Sequence, residues 1–372
     1  MPIKIKTFDF SIIIPTIVFL AIGVAVIYSL VFSTVDEGLG LKQAGIGLIG
    51  LATMLLLSFV DYRFFRGTAW VFYILSLILL ILVLLVGKTT NGAENWIDLK
   101  VFQLQPSELS KIFLIFSLGA FFSNKIGNLR WRDILISFLL VLPVLGLILA
   151  EPDVGTAMVI VFIYFVMLLI ARPSKLQTGA IAISLFALIS VGSLAYLNIK
   201  PFGQLIQDYQ RQRIAVFLDP NLDPYGRGYN VKQAQITIGS GGITGKGLGK
   251  GSQSQLQFLP EAHTDFIFAG IAESFGFFGC FFLIFLYCYF IVRIVSIAQI
   301  ALDNFGMFLG FGIASMFFFQ ALENIGMNLG LLPVTGIPLP FLSYGGTSLL
   351  VSFLAIGIME SVFIRHKKLS FR

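Results

Sequence analysis

The chain has 372 residues, 57% of them hydrophobic and 12% charged, and a mean hydropathy of +0.92. A soluble domain carries roughly twice that share of charge, and 39 phenylalanines exceed what a water-facing surface tolerates, so a soluble globular protein is excluded. The apolar runs are too long and continuous for barrel strands, which leaves an all-α polytopic membrane protein.

Ten spans fit the sequence, at 9–32, 43–60, 69–87, 105–122, 133–149, 155–171, 176–196, 265–292, 304–323 and 345–364. The first follows only Lys4 and Lys6, with no small-residue cleavage pattern behind it, and reads as a retained helix. Cys280 and Cys288 share one apolar run and read as packing residues rather than a disulfide.

The formal charge of +6 would suit nucleic acid, but its distribution follows a membrane topology. With the amino terminus in the cytoplasm, inside segments carry Lys4, Lys6, Arg63, Arg66, Lys125, Arg130, Arg132, Arg172, Lys175, Arg293, Arg365, Lys367, Lys368 and Arg372. The short outside loops carry only Lys42, Lys88 and Lys100. Both termini are therefore expected inside, within a single integral membrane domain.

The outside segments hold the polar motifs. They are 33–42, the polar 88–104 loop, the EPD turn at 151–153, a large extracellular loop at 197–264 between spans seven and eight, and a Gly/Pro-broken loop at 324–344 that partly re-enters. Within the large loop, 205–218 looks amphipathic, with Asp208, Arg211 and Arg213 set among Leu205, Ile206, Tyr209, Ile214, Val216 and Phe217. It reads either as an interfacial helix or as a solvated linker.

Residues 226–268 form the longest polar interval, with nine glycines from Gly226 to Gly251. Glycine at that density marks a backbone that turns tightly, approaches something closely or moves. It delivers Glu261, His263 and Asp265 to the next apolar run. The run GSGGITGKGLGKG lacks phosphate-loop spacing, because Gly247 follows Lys246, so nucleotide binding is excluded. His263 and His366 are too distant to share a metal.

Ionisable groups at span ends usually face a protein interior or a water-filled cavity. Glu108 and Lys111 lie three apart in QPSELSK. They read as a self-neutralising helix start or as a cavity wall that offers Lys111 to an anionic group. Asp153 reads first as a helix cap, and otherwise as a ligand for a divalent cation or a sugar hydroxyl. Asp265 could cap a helix too, yet the carboxylate of Glu261 nearby would raise its pKa and suit a general base. Glu273, two turns deeper, is a candidate for polar support.

Several of these stretches resemble one family. NGAENWIDL at 91–99, QPSELSK at 105–111, EPDVGTA at 151–157, GSGGITGKGLGKG at 239–251, QLQFLPEAHTDFIFAGIAE at 255–273 and GLLPVTGIPLPFLSYGGTS at 330–348 are similar, in family order, to the SEDS (shape, elongation, division and sporulation) proteins. The resemblance implies polymerisation of lipid II into glycan strands at the outer leaflet of a bacterial cytoplasmic membrane. It implies an essential aspartate at Asp265, support from Glu108, Lys111 and Asp153, and a class B penicillin-binding protein, a transpeptidase, as partner. Other elongation-complex proteins are implied as further partners. Gln255 stands where division-type members commonly carry a lysine, and with the short amino terminus this leans towards the elongation type. Ala272 precedes Glu273 where many members have two acidic residues, which leaves any role for such a pair open.

The resemblance fits the chemistry. A sugar hydroxyl attacking an anomeric carbon must lose a proton, which Asp265 could accept, and diphosphate leaves without the acid partner that hydrolases use. Positive charge for that leaving group could come from Lys111, a loop arginine, or Mg2+ or Mn2+ held near Asp153. Gly241, Gly242 and Lys246 are assigned to a substrate loop with Ser343 and Tyr344, although LPFLSYGG reads more as a shaped wall than as chemistry. A lipid-linked precursor flippase would also use charged cavities and broken spans, but the polar elements here lie almost wholly on one side. A scaffold that only recruits the transpeptidase leaves the four charged residues at one outer level unexplained.

Overall fold

Each expected apolar interval folds as a helix, the element that satisfies its own backbone groups where water is scarce. The computed structural model describes residues 8–31, 38–90, 93–98, 103–196, 208–256 and 258–366. In chain order the helices are α1 (Phe10–Val31), α2 (Leu39–Phe59), the short α3 (Arg63–Gly67), α4 (Ala69–Val86), α5 (Pro106–Phe122), α6 (Trp131–Ala150), α7 (Val154–Ile170) and α8 (Lys175–Tyr196). Then come α9 (Asp208–Leu218), α10 (Arg227–Ser240), α11 (Ser252–Gln255), α12 (Ile267–Gln299), α13 (Asn304–Asn328) and α14 (Gly346–Ile364). Among the described residues, seven are long and apolar enough to cross a membrane: α1, α2, α4, α6, α12, α13 and α14. α7 is apolar but shorter.

α5 and α13 form the centre, each buried along most of its length. α14 packs against α2, and α12 and α7 pack against α13. The outward faces are hydrocarbon: Phe277, Phe281 and Phe285 of α12 are all exposed. Cys280 is half-buried and Cys288 is exposed, so the packing role expected of both applies only to the first.

Basic residues gather at one end. There Arg63 pairs with Asp303 at 3.1 Å, Lys125 pairs with Asp133, and Arg293 reaches Asp9 at 2.6 Å. Arg66 donates to Asn124, and Arg365 donates to the carbonyls of Ser58 and Phe59.

The opposite end differs from the sequence expectation in three places. The 88–104 loop carries a three-stranded antiparallel sheet, β1 (Lys88–Thr90), β2 (Ala93–Asp98) and β3 (Gln103–Leu104). Lys88 faces Trp96, and Ile97 faces Leu104. The ninth span does not end at 323. α13 runs on to Asn328 because Asn324 and Asn328 are buried and bonded rather than solvated.

The eighth span is broken. Gly276 inside α12 has φ 65 and ψ −164, which interrupts the helical ladder and frees backbone groups on both sides. The glycine-rich segment satisfies them. Lys246 N–H donates to Glu273 O and Gly247 N–H to Ser274 O, while Gly242 O and Ile243 O accept from Phe277 and Phe278 N–H, at 2.9–3.3 Å. A Cβ on Gly245 would stand 2.3 Å from Ser274 O, and one on Gly241 would stand 2.0 Å from Ala272 O. The glycines are there because two backbones touch.

Between α13 and α14 the chain is irregular yet buried. Ile337, Leu339, Phe341 and Leu342 are each at most 3% exposed. Phe341 packs against Phe19 of α1, Phe290 of α12, Phe317 of α13 and Phe353 of α14. Non-helical backbone is tolerated at membrane depth only where protein surrounds it.

Candidate functional site

Asp265 sits on the turn that precedes α12. The turn begins at Glu261, whose φ is 53 and whose carbonyl accepts from Thr264 and Phe266 N–H. The first turn of α12 has no side-chain cap at its N-cap residue, Phe266. Asn328 Oδ1 accepts from Ala269 N–H at 3.2 Å instead. The cap role open to Asp265 is therefore taken by another residue, and its carboxylate is left for other work.

The Asp265 backbone is held from α13, because its carbonyl accepts from the amides of Asn324 and Asn328, both at 3.0 Å. LPFLSYGG holds the turn from the other side. Ser343 Oγ donates to Thr264 O at 2.6 Å, and Tyr344 N–H donates to His263 O at 2.8 Å. The His263 and Tyr344 rings meet edge to face at 5.8 Å. Ser343 and Tyr344 thus act as braces. The carboxylate is half-buried beside Gly336, with Oδ2 3.4 Å from where a Cβ would stand there. Desolvation first and the charge of Glu261 second push it up to about 6, while Arg213 of α9 acts in the opposite sense.

Sequence reasoning passed over two further acidic residues, of which the first lies close by. Glu323 of α13 is 3% exposed, accepts from the Thr335 hydroxyl through Oε1 and feels the charges of Asp265 and Arg213. Its signal was present, a carboxylate inside an otherwise apolar span. Glu151 of the EPD turn is fully buried, and neither carboxylate oxygen has a hydrogen-bond partner among the described residues. Burial and then the charge of Asp153 push it up to about 8.

Asp153 is a cap. Its Oδ1 accepts from Thr156 N–H at 2.9 Å, and Oδ2 faces the Ser107 hydroxyl at 3.2 Å and the Gln105 amide at 3.4 Å. Both oxygens are turned to protein donors, and no group of three acidic, histidine or cysteine side chains fit for a metal occurs among the described residues. The Asp153 carboxylate is thus engaged by the chain itself. Asp153 nevertheless belongs to the same end of the bundle, since a Cβ at Gly155 would meet Thr335 at 3.3 Å, next to Gly336 and Asp265.

Lys111 Nζ lies 2.7 Å from Glu108 Oε1, and both side chains are at most 3% exposed. The ammonium is enclosed and paired with its neighbour. Glu273 and Lys246 form a separate cluster. Lys246 Nζ reaches Glu273 Oε1 at 2.9 Å and the hydroxyls of Ser240 and Ser252, and Gln253 N–H donates to the same Glu273 oxygen. Glu273, Lys246, Gly241 and Gly242 therefore fasten the glycine-rich segment to the break in α12, and the polar support expected of Glu273 goes to that segment.

The bundle and this end define an integral membrane protein with a partly desolvated carboxylate fixed on a turn braced from two sides, the setting of an enzyme that works on a membrane-borne substrate. The comparisons give it a family. The pattern of the FtsW/RodA/SpoVE cell cycle proteins matches residues 10–368, and the chain belongs to that family, the SEDS proteins. It is 37% identical over 359 residues to the peptidoglycan glycosyltransferase MrdB of Escherichia coli K12, covering 96% of this chain and 95% of that one. It is 34% identical to a probable peptidoglycan glycosyltransferase FtsW of Trichlorobacter lovleyi, covering 97% and 94%. Among solved structures, the rod shape determining protein RodA of Thermus thermophilus superposes with a TM-score of 0.70 at 30% identity, over 96% of both chains. A chain from work on structural coordination of polymerization and crosslinking by a peptidoglycan synthase complex gives 0.81 at 33% identity, over 96% and 98%.

Proposed function

We propose that the chain is a peptidoglycan glycosyltransferase that polymerises lipid II for cell elongation, with Asp265 as its general base. The observation that carries the role of Asp265 is its carboxylate, not used as a cap, set on a turn braced from two sides and pushed up to about 6, near the working pH a general base needs. The acceptor hydroxyl loses its proton to Asp265 as its oxygen bonds to the anomeric carbon of the donor. The anomeric carbon–oxygen bond to the diphosphate breaks, the electron pair leaves with undecaprenyl diphosphate, and configuration inverts. Arg213, whose charge acts on Asp265, is the loop cation that meets the leaving diphosphate. A divalent cation, Mg2+ or Mn2+, when bound near Asp153, would supply further positive charge for the leaving diphosphate.

The chain crosses the bacterial cytoplasmic membrane ten times with both termini inside. This is supported by the basic cluster at one end, opposite the Asp265 turn, which puts the reaction on the outer face. The 329–345 segment is re-entrant and walls the Asp265 turn on one side. A class B penicillin-binding protein crosslinks the product, a reading supported by the likeness to a chain of a synthase complex that coordinates both steps.

The test is polymerisation of labelled lipid II by the purified protein, with and without the transpeptidase, beside Asp265→Asn. Polymer from the wild type and none from an equally folded variant is the expected result. Normal polymer from the variant removes Asp265 as the base. No polymer from the wild type with partner and divalent cation present removes the polymerase reading and directs attention to lipid translocation.

A further inference from the structure

Arg227 stands on the first turn of α10, and that helix is a fixed platform. The Arg227 N–H donates to Asp223 Oδ2 at 2.9 Å. Two turns on, the Gln235 amide donates to Leu329 O at 3.2 Å, which ties α10 to the segment between α13 and α14. Arg227 and Arg213 of α9 line one crevice, walled by Phe217, Val231 and the run from Leu332 to Val334. The crevice leads to the Asp265 turn. Two residues beyond Val334, Gly336 lies beside Asp265 Oδ2, and the charge of Arg213 acts on Asp265.

The Arg227 side chain is half-buried, and among the described residues its guanidinium makes no hydrogen bond and no ion pair. A guanidinium presents a fork of donors and cannot shed its charge. Two of them on one crevice repel each other, and apolar walls strengthen that repulsion. A bound anion reverses the sign of the balance. The enclosed space is about 10 Å³, room for little more than a water, so the anion lies across the mouth of the crevice rather than within it.

We propose that Arg227 is the second half of an arginine clamp, with Arg213, on the diphosphate of the lipid-linked substrate, and that the pair selects a diphosphate over a monophosphate. The inference rests on the reading of the chain as a transferase with a diphosphate-linked donor. One guanidinium engages the oxygens of one phosphoryl group, so the second is idle on a monophosphate and engaged on a diphosphate. Arg213, the one whose charge reaches Asp265, takes the phosphoryl group next to the sugar, where negative charge grows as the bond breaks. Arg227 takes the group next to the lipid, whose charge changes little. Its contribution is therefore to binding more than to the chemical step.

The experiment measures, by calorimetry on the purified full chain in detergent, the binding of farnesyl diphosphate, farnesyl monophosphate and inorganic diphosphate. It compares the wild type with Arg227→Gln and Arg227→Lys, and melting temperatures check that each is folded. The wild type is expected to bind farnesyl diphosphate about 10-fold more tightly than the monophosphate. Arg227→Gln loses about 10-fold on the diphosphate and nothing on the monophosphate, and Arg227→Lys keeps part. The same loss on inorganic diphosphate assigns the clamp to phosphoryl oxygens, whereas a loss confined to the prenyl compound assigns Arg227 to the lipid chain and overturns it. Equal losses on both prenyl ligands overturn it too, and equal wild-type affinities for them do so without any variant. In the polymerisation assay Arg227→Gln raises the KM for lipid II about 10-fold and lowers kcat by much less; the reverse split counts against the clamp. A wild type that makes no polymer yet still separates diphosphate from monophosphate removes the assigned activity and keeps the clamp.

Discussion

Lys246 and Glu273 meet with Nζ 2.9 Å from Oε1 across the point where α12 is broken. The carboxylate is fully enclosed, and it also accepts from Ser240 Oγ and Gln253 N–H. Lys246→Met leaves that charge with neutral donors only, which is expected to lower stability by about 1–3 kcal/mol. Glu273→Gln in the same chain recovers some of the loss, since it removes the stranded charge. Thermal unfolding in detergent of the two single variants and the double variant measures the coupling.

The glycines of this segment are not equivalent. Gly242 has φ 57 but open space around it, whereas Gly245 has φ 79 and backbone 2.3 Å from any added Cβ. Gly242→Ala is expected to cost about 1–2 kcal/mol, the strain of a left-handed residue. Gly245→Ala must also push apart a pair of hydrogen-bonded backbones and is expected to exceed about 3 kcal/mol. Yields of folded protein and melting temperatures of the two variants provide the comparison.

Polymerisation should fail in acid. A general base works ionised, and the Asp265 carboxyl is pushed up to about 6. The rate is therefore expected to be full well above that pH, half lost near it and falling about tenfold per unit below it. An acid limb centred near the ordinary carboxylate value, about 4, would contradict a desolvated base.

Glu108 and Lys111 neutralise each other out of reach of water. Lys111→Met alone strands a buried carboxylate and is expected to destabilise by about 3–5 kcal/mol, whereas pairing it with Glu108→Gln recovers most of that. Equal melting of the single and double variants would show that the pair is not a closed unit.

Asp153→Asn keeps an oxygen for Thr156 N–H and is expected to melt like the wild type, while Asp153→Ala loses about 1 kcal/mol as the cap goes. Polymerisation lost in the stable Asn variant assigns a role to the charge beyond the cap.

How much could be read from the sequence depended on whether a residue's partner was local. The spans were legible because hydrophobicity is continuous along each helix, and the Asp153 cap was legible because its partner is three residues away. Glu273 was legible as polar support, but its partner Lys246 lies 27 residues back, and no periodicity reveals a chain segment crossing a helix break. Glu323 was missed because a single carboxylate at the end of an apolar run looks like a boundary. The structure continues the helix past it, since two asparagines downstream find partners on the Asp265 turn. The sheet at 88–104 did have a local signal, the Asn91-Gly92 pair between β1 and β2, which a reading weighted to hydropathy overlooks.

The break at Gly276 divides α12 into a short outer rod, which begins just after Asp265, and a long inner one. The outer rod is clamped by Asn328 at its first turn and by the glycine-rich strap at its far end, so its tilt is set by those two grips rather than by the inner rod. A displacement of the strap is therefore expected to be felt at Asp265 through the outer rod, with the non-helical backbone at Gly276 as the joint that spares the inner one.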